Sequence, residues 1–555
     1  MRTYTADFET TTDPDDCRVW AYAVCEVDNP DFVVFGNSIE GFMSWCDMAA
    51  NCVLYFHNLG FDGAFLMDYL LTNGWTWIAD RGKADDRTFT ALISDMNQVY
   101  SIVLYFNKAR KVTIYDSLKV IPLSIKQMAK AYGLDEGKGE LDYETYREPG
   151  HVLTDAEKDY IRRDVQIAAK AIKGHLDEGL SKMTAGSNAL FMYKKSLGGD
   201  RAFRHVYPEI GEEEDAFMRR AYKGGFAYVN PKYAGKQVGA GIVFDVNSLY
   251  PSVMHDCELP VGAPEWFDGE PPKRKSRPLW IAAVECRFAV KPEHIPCIQL
   301  KGNMRFGQTE YIERSGVSVT MTVTNVDWEL INQQYDVLNV RWLGGFVFAS
   351  SKWQFKEYVD HWTEQKVQAT IEGNAGKRQI AKLMLNSLYG KFATRLTVES
   401  RFPEMVDGVL RYTDLEPTTR KPVYLPVGIF VTAHARYKTI TSAQSVYDRF
   451  LYADTDSLHL LGTDVPECLD VDPVRLGAWK HESTFTRAKF LRPKCYTEEI
   501  DGALNTKVAG MPYNVHSQVT MENLDYGAVY SGKLYQHRVP GGIVLIPGNM
   551  QIREK

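Results

Sequence analysis

Two apolar runs in this chain end in carboxylates, which few folds can accommodate. Gly241-Ile-Val-Phe-Asp-Val246 has the composition of a strand covered on both faces, yet it carries Asp245. Leu451-Tyr-Ala-Asp-Thr-Asp-Ser-Leu458 reads as a hairpin whose tip holds Asp454 and Asp456. An ionised carboxylate in an apolar interior is too costly to leave without a partner. Alone, Asp454 and Asp456 would be ordinary turn residues. Joined by Asp245 they form an acid set able to hold two divalent cations for nucleotidyl transfer, one cation activating a hydroxyl and the other a departing pyrophosphate.

A second acid set lies near the N-terminus. Residues two apart on a strand share a face, so Asp7 and Glu9 of Asp7-Phe-Glu9 project together while Phe8 turns inward. Taken alone, such a pair is more often a solvated face, but two more segments add to it. Asn58-Leu-Gly-Phe-Asp62 follows the apolar run Val53-Leu-Tyr-Phe56, and Tyr160-Ile-Arg-Arg-Asp164 stacks a tyrosine and an acid one helical turn apart. Four acids and a tyrosine on an α/β scaffold suit two-metal phosphodiester hydrolysis, with the tyrosine orienting the water. Lys138 is a candidate for the scissile phosphate, in competition with an ordinary surface lysine.

Cations for a triphosphate are also present. Between Lys366 and Arg395 the chain carries Lys366, Lys377, Arg378, Lys382, Lys391 and Arg395 against only Glu372. The same charges would suit a solvated helical face. Lys382-Leu-Met-Leu-Asn-Ser-Leu-Tyr-Gly390 fits a helix with Lys382, Asn386 and Tyr389 near one face, Arg378 a turn earlier and Lys366 on the helix before. Lysine serves phosphate as a point charge.

A length of 555 residues favours several compact units. Residues 1 to about 180 alternate strand-like and helical runs, and Thr154-Asp-Ala-Glu157 is a capping-box pattern opening a helix. Residues 353 to 395 predict two helices joined by Glu372-Gly-Asn-Ala-Gly376, and the last forty or so residues predict a small β element around Pro540-Gly-Gly542. A net charge of −7 works against a passive basic coat for DNA, but acids that hold metals would be carried for another reason, so the total decides little and the distribution of charge more. No apolar stretch is long enough to cross a membrane. The N-terminus lacks a leader pattern and the nine cysteines include no C-x-x-C pair, so a reducing cytoplasm is expected.

The order D-x-E, N-x-x-x-D, Y-x-x-x-D, then D-x-x-S-L-Y-P, K-x-x-x-N-S-x-Y-G, Y-x-D-T-D-S and K-x-Y resembles the exonuclease and polymerase motifs of family B DNA polymerases. Tyr222-Lys-Gly-Gly225 and Thr432-Ala-His-Ala-Arg436 narrow the resemblance to the protein-primed branch of small bacteriophages with linear, terminal-protein-capped genomes. The resemblance implies a multidomain α/β and α+β chain. An RNase H-like 3′–5′ exonuclease domain (1–186) would precede a right-hand polymerase domain. Its palm would span 187–260 and 423–514, its fingers 357–395 and its thumb 515–555. Insertions at 261–356 and 396–422 would grip terminal protein and DNA, with strand displacement and processivity assigned to the second.

By the same resemblance Asp7, Glu9, Asp62, Glu140, Asp164, Asp245, Val246 (through its carbonyl), Asp454 and Asp456 hold metal, two ions per site, magnesium or alternatively manganese. Tyr160 and Lys138 assist hydrolysis. Tyr250, Lys366, Arg378, Lys382, Asn386 and Tyr389 meet the nucleotide. Tyr55, His57, Asn58, Phe61, Phe65 and Ser117 meet single-stranded DNA, with core packing an equal reading for Phe61 and Phe65. Tyr222, Gly224, Gly225, Ser248, Thr432, Arg436, Lys494 and Tyr496 meet primer or template. The implied partners are primer–template DNA, deoxynucleoside triphosphates and a terminal protein, the chain being monomeric or paired with that protein, with no membrane. Two rivals predict different outcomes: a nuclease with a dead polymerase half would not extend primers, and a non-catalytic scaffold would tolerate Asp245→Ala and Asp7→Ala. A phosphate-loop motor is disfavoured, because Gly373-Asn-Ala-Gly-Lys377 has the wrong spacing.

Overall fold

The computed structural model describes residues 2–133, 141–143, 145–300 and 311–554. A ten-stranded sheet organises the N-terminal part. Its strand Thr3–Thr10 pairs antiparallel with Val19–Glu26 and parallel with Cys52–Phe56, which in turn runs parallel with Lys111–Asp116. Alternation sorts the first strand's side chains. Tyr4, Ala6 and Phe8 enter a core with Phe42 and Phe56. Thr5, on the opposite face, donates to the Val165 carbonyl of the helix Asp155–Asp177 at 2.7 Å. Asp7 and Glu9 share that face. Thr154 caps this helix and Glu157 closes the box, as the sequence predicts.

Two later segments complete this unit. The hairpin Ser400–Val406 and Val409–Asp414 extends the sheet through Ser400↔Ser94 and Arg401↔Ile93. The terminal hairpin Val529–Val539 and Gly542–Gln551 places Val539, Ile543 and Val544 in the same core. Its turn needs glycine at residue 541: φ is +93°, and a Cβ there would sit 2.0 Å from the Cys17 carbonyl oxygen.

A five-stranded sheet carries the other acids, in the order Trp479–Phe485, Gly241–Val246, Ser457–Leu461, Phe450–Asp454, Ala227–Val229. The largest core packs behind it and includes the helix Leu425–Ser445, whose apolar residues are buried nearly all round. A four-stranded sheet adjoins it, ordered Gln237–Val238, Arg487–Arg492, Cys495–Ile500, Ala503–Val508. The helices Lys356–Ile371 and Ala375–Ser387 are the expected two, joined through residues 372–374 and packed on each other. Residues 259–351 supply another four-stranded sheet, including the long strand Tyr335–Ser351. All nine cysteines are free, and among the described residues no helix is long and apolar enough to cross a membrane.

Candidate active sites

The first acid set converges. Asp7, Glu9, Asp62, Tyr160 and Asp164 line one cleft of about 320 Å³ with His57, Asn58 and Phe61. Glu9, Asp62 and Asp164 are buried. Burial, with the Asp116 charge nearby, pushes the Asp62 carboxyl up to about 7 against the pull of backbone hydrogen bonds. Burial also holds the His57 imidazole down at about 4, so it is neutral at physiological pH. Its Nδ1 meets Ser117 Oγ at 3.0 Å, and that hydroxyl donates to the Phe56 carbonyl at 3.0 Å. Ser117 is buried and therefore reaches the cleft through His57.

Asp116 was not anticipated. It ends the strand Lys111–Asp116 and accepts from the Asn58 N–H at 3.0 Å and the Leu118 N–H at 2.9 Å. Asn58 is left-handed, with φ 69°, and its side chain makes no cap for the helix Leu59–Thr72; Asp116 of the neighbouring strand instead accepts from the backbone where the chain enters that helix, at Asn58 and Leu59. The signal was available, since Val112-Thr-Ile-Tyr is another apolar-alternating strand running into an acid. Tyr143, whose hydroxyl lies 2.8 Å from that of Tyr160, and Ile543 to Leu545 also line the cleft and were missed. The last three arrive from the far end of the chain.

One expected DNA contact, Tyr55, is corrected, and for Phe65 the core reading is the one observed. Tyr55 is buried against Tyr115, with ring centroids 5.8 Å apart. Phe65 is 1% exposed and packs where a Cβ on Gly542 would fall, 2.5 Å away. Both are core residues because apolar rings on central elements bury more area inside than beside a cleft. Lys138 and Glu140 lie outside the described residues.

The second acid set also converges. Asp245 pairs with Ser457 and Ser457 with Asp454 in adjacent ladders, while Val246 N–H donates to the Asp456 carbonyl at 2.8 Å. Burial, then the charges of Asp456 and Glu482, raise the Asp245 carboxyl to about 7, opposed by Lys480 and Lys382. Asp456 is raised by burial and by Asp454. Asp454 receives Lys494 Nζ at 2.7 and 2.8 Å and the Tyr452 hydroxyl at 3.1 Å. Gly225 is obligatory here, since its Cβ would lie 2.5 Å from Thr455 Oγ1 at the hairpin tip. Among the described residues no group of three or more Asp, Glu, His or Cys side chains stands arranged to hold a metal ion.

The cations gather as expected. Arg378, Lys382 and Asn386 are exposed at four-residue spacing on one helix. Lys366, on the preceding helix, is lowered by burial and by the charges of Arg378 and Lys382, so the three are neighbours. Tyr250 and Tyr389 stack with centroids 4.0 Å apart. Ser248, at φ 55°, caps the motif's helix without a side-chain bond. Tyr496 is half-buried, 5.1 Å from the Tyr452 ring.

Thr432 and Arg436 face protein, not solvent. Thr432 Oγ1 bonds the Gly428 and Ile429 carbonyls. Arg436 donates to the Lys223 and Gly224 carbonyls at 2.8 and 3.0 Å and pairs with buried Asp327 at 2.7 Å. A direct DNA contact is thereby corrected to support of the Tyr222–Gly225 segment from behind. Asp327 was not anticipated.

A family model described as DNA polymerase type B, organellar and viral, matches residues 46–151 and 140–472. The chain is 43% identical to a DNA polymerase of Bacillus phage Nf over 99% of both chains, and 41% identical to that of Bacillus phage phi29 over the same shares. It is 33% identical to that of Streptococcus phage Cp-1, over 99% of this chain and 98% of the other. Among solved structures it is similar to phi29 DNA polymerase complexed with primer-template DNA and incoming nucleotide substrates, with a TM-score of 0.94 and 39% identity over all of both chains.

Proposed function

This chain belongs to the organellar and viral type B DNA polymerases and is a template-directed DNA polymerase, and from that premise we propose that it extends DNA at the Asp245–Asp454–Asp456 site and degrades 3′ ends at the Asp7–Glu9–Asp62–Asp164 cleft. The carrying observation is that acids from Asp245 and from the 454–456 hairpin, far apart in sequence, meet beside Lys382, Lys480 and Lys494.

Both acid sets fit divalent cations. Each is a group of hard oxygen donors, and in each a carboxyl is held up near 7 by burial and a second acid, a strain that a cation relieves. Asp245, Asp454, Asp456 and the Val246 carbonyl would hold ions at one site, and Asp7, Glu9, Asp62 and Asp164 at the other. Magnesium, or alternatively manganese, would there make a hydroxyl or water acidic and neutralise the departing oxygen.

The chain's own groups supply the rest. Lys366, Arg378 and Lys382 bind the triphosphate as point charges. Tyr389 stacks on the nascent base pair and Tyr250, stacked beneath it, closes the space under the sugar. Lys494 and Tyr496 hold the primer end, and the Tyr222–Gly225 segment tracks the template. In the cleft, His57, Asn58 and Phe61 hold the frayed strand while Tyr160 orients water. Residues 187–260 and 423–514 act as palm, 357–395 as fingers, 515–555 as thumb, and 261–356 and 396–422 as grips on terminal protein and displaced DNA.

Protein priming rests on the resemblance carried by the Tyr-x-Gly-Gly segment; the enzyme would act in the host cytoplasm with a terminal protein. The test is extension of a primed single-stranded circle without clamp or helicase. Products much longer than the circle are expected. Products that stop at one circuit would remove strand displacement from this proposal.

A further inference from the structure

Beneath the polymerisation site lies a buried hydrogen bond that the mechanism has not used. His459 Nδ1 donates to Glu498 Oε1 at 2.6 Å, with the two side chains only 3% and 2% exposed. His459 belongs to the strand Ser457–Leu461 of the five-stranded sheet, and Glu498 to Cys495–Ile500 of the neighbouring four-stranded sheet. The pair is therefore a polar link between two sheets, enclosed by the rings of Tyr452, Phe490 and Tyr496 at 5.1 to 5.4 Å from the imidazole.

What rides on those rings is the active site. Tyr452 lies opposite His459 in the ladder. Its hydroxyl donates to Asp454 and accepts from the Lys494 N–H at 3.0 Å, and Lys494 Nζ returns to Asp454. Each sheet thus brings one half of the Asp454–Lys494 contact, and the sheets are held in register one layer below it. Apolar rings alone would allow the sheets to slide, whereas a buried side-chain hydrogen bond tolerates a narrow range of geometry and is costly to break.

We propose that His459 and Glu498 are positioning residues for polymerisation, a buried pair that fixes the hairpin bearing Asp454 and Asp456 against the turn bearing Lys494. They act through Tyr452 and Tyr496 and touch no substrate. The proposal rests on the assignment of extension to the Asp245–Asp454–Asp456 site.

The test compares Glu498→Gln, which keeps an acceptor of the same shape, with Glu498→Leu, which cuts the link. Steady-state primer extension, binding of primer–template duplex and thermal melting are measured on the full chain. Glu498→Gln should extend within about twofold of the parent. Glu498→Leu should lose at least about tenfold in kcat, with nucleotide KM and duplex binding within about threefold of the parent. If Glu498→Leu does not melt cooperatively or bind duplex, the double variant His459→Phe with Glu498→Met, an apolar pair of similar bulk, takes its place with the same expected loss. Parental kcat in the link-cut variant, or equal losses in Glu498→Gln and Glu498→Leu, would overturn the proposal. Asp456→Ala, run alongside, separates the two levels: if it still extends primers, the site assignment fails, whatever Glu498 does.

Discussion

In the first cleft, Asp7 and Glu9 come from one strand and Asp62 and Asp164 from two helices docked on the same sheet, all within the first 164 residues. In the second, Asp245 and Asp456 lie on segments some two hundred residues apart, and Lys382 and Lys494 come from two further segments. Burial and neighbouring acids raise the carboxyls in both; among the described residues lysines oppose that rise at Asp245 and Asp456 and Lys494 pairs with Asp454, whereas backbone amides oppose it at Asp62. The contrast fits the proposed substrates, since a site proposed to receive a triphosphate must meet its charge, and one proposed to trim a strand end holds it on acids and aromatic walls.

The comparison is broken most directly by exchanging losses. Asp456→Ala should reduce extension by at least about a thousandfold, roughly 4 kcal/mol of barrier, and spare degradation of single-stranded DNA. Asp164→Ala should do the opposite. Loss of both activities in each variant would mean the sites are not separate.

The difference in cations predicts a milder effect. Lys382→Ala should raise nucleotide KM by about ten- to a hundredfold while duplex affinity changes less than about twofold, read by single-nucleotide incorporation and band shift. Degradation rates should stay at the parental value.

Acidity tests what the two sites share. Asp62 and Asp245 are each held near 7, chiefly by burial, against a usual value of 3.8. A raised carboxyl stabilises the metal-free fold fully below the usual value, and that contribution is lost as pH rises through about 7. The metal-free protein should therefore melt at a lower temperature at pH 8 than at pH 5.5, and magnesium should restore more stability at the higher pH. Both activities should fall by up to about tenfold per unit as pH drops below 7, since the cations need ionised acids. A flat melting temperature across this range would show that the two carboxyls are not raised.

The smallest effects concern the supports. Gly541→Ala puts a Cβ against the Cys17 carbonyl at a φ of +93° and should cost about 1–3 kcal/mol. It should loosen the terminal hairpin, seen as faster proteolysis there and slower trimming of mismatched ends. Thr154→Ala removes the cap of the helix bearing Tyr160 and Asp164 and should cost about 1 kcal/mol, read as a small fall in the temperature at which degradation is lost. If neither change touches degradation, the first cleft does not depend on its distant supports.

Much of both sites was legible because short-range geometry fixes it. The period of a strand aligns Asp7 with Glu9, a helical turn aligns Tyr160 with Asp164, and the four-residue spacing aligns Arg378, Lys382 and Asn386. The misreadings share a cause. Tyr55, Thr432 and Arg436 stand at the right places in their motifs, but which way a side chain faces depends on what packs against its element. Arg436 turns inward because Asp327, over a hundred residues earlier, waits there with the Lys223 and Gly224 carbonyls.

The sequence by itself determined which residues are candidates for metals and phosphates, that the acids come in two sets, and the helices and strands that display them. These follow from side-chain chemistry and from backbone periods that act over a few residues. Only the tertiary structure decided that residues 400–414 extend the first sheet, that the terminal hairpin walls the first cleft, and that His459 meets Glu498 under the second. Those pairings join segments tens to hundreds of residues apart, and their register is selected by the packing of whole faces, which no local pattern encodes.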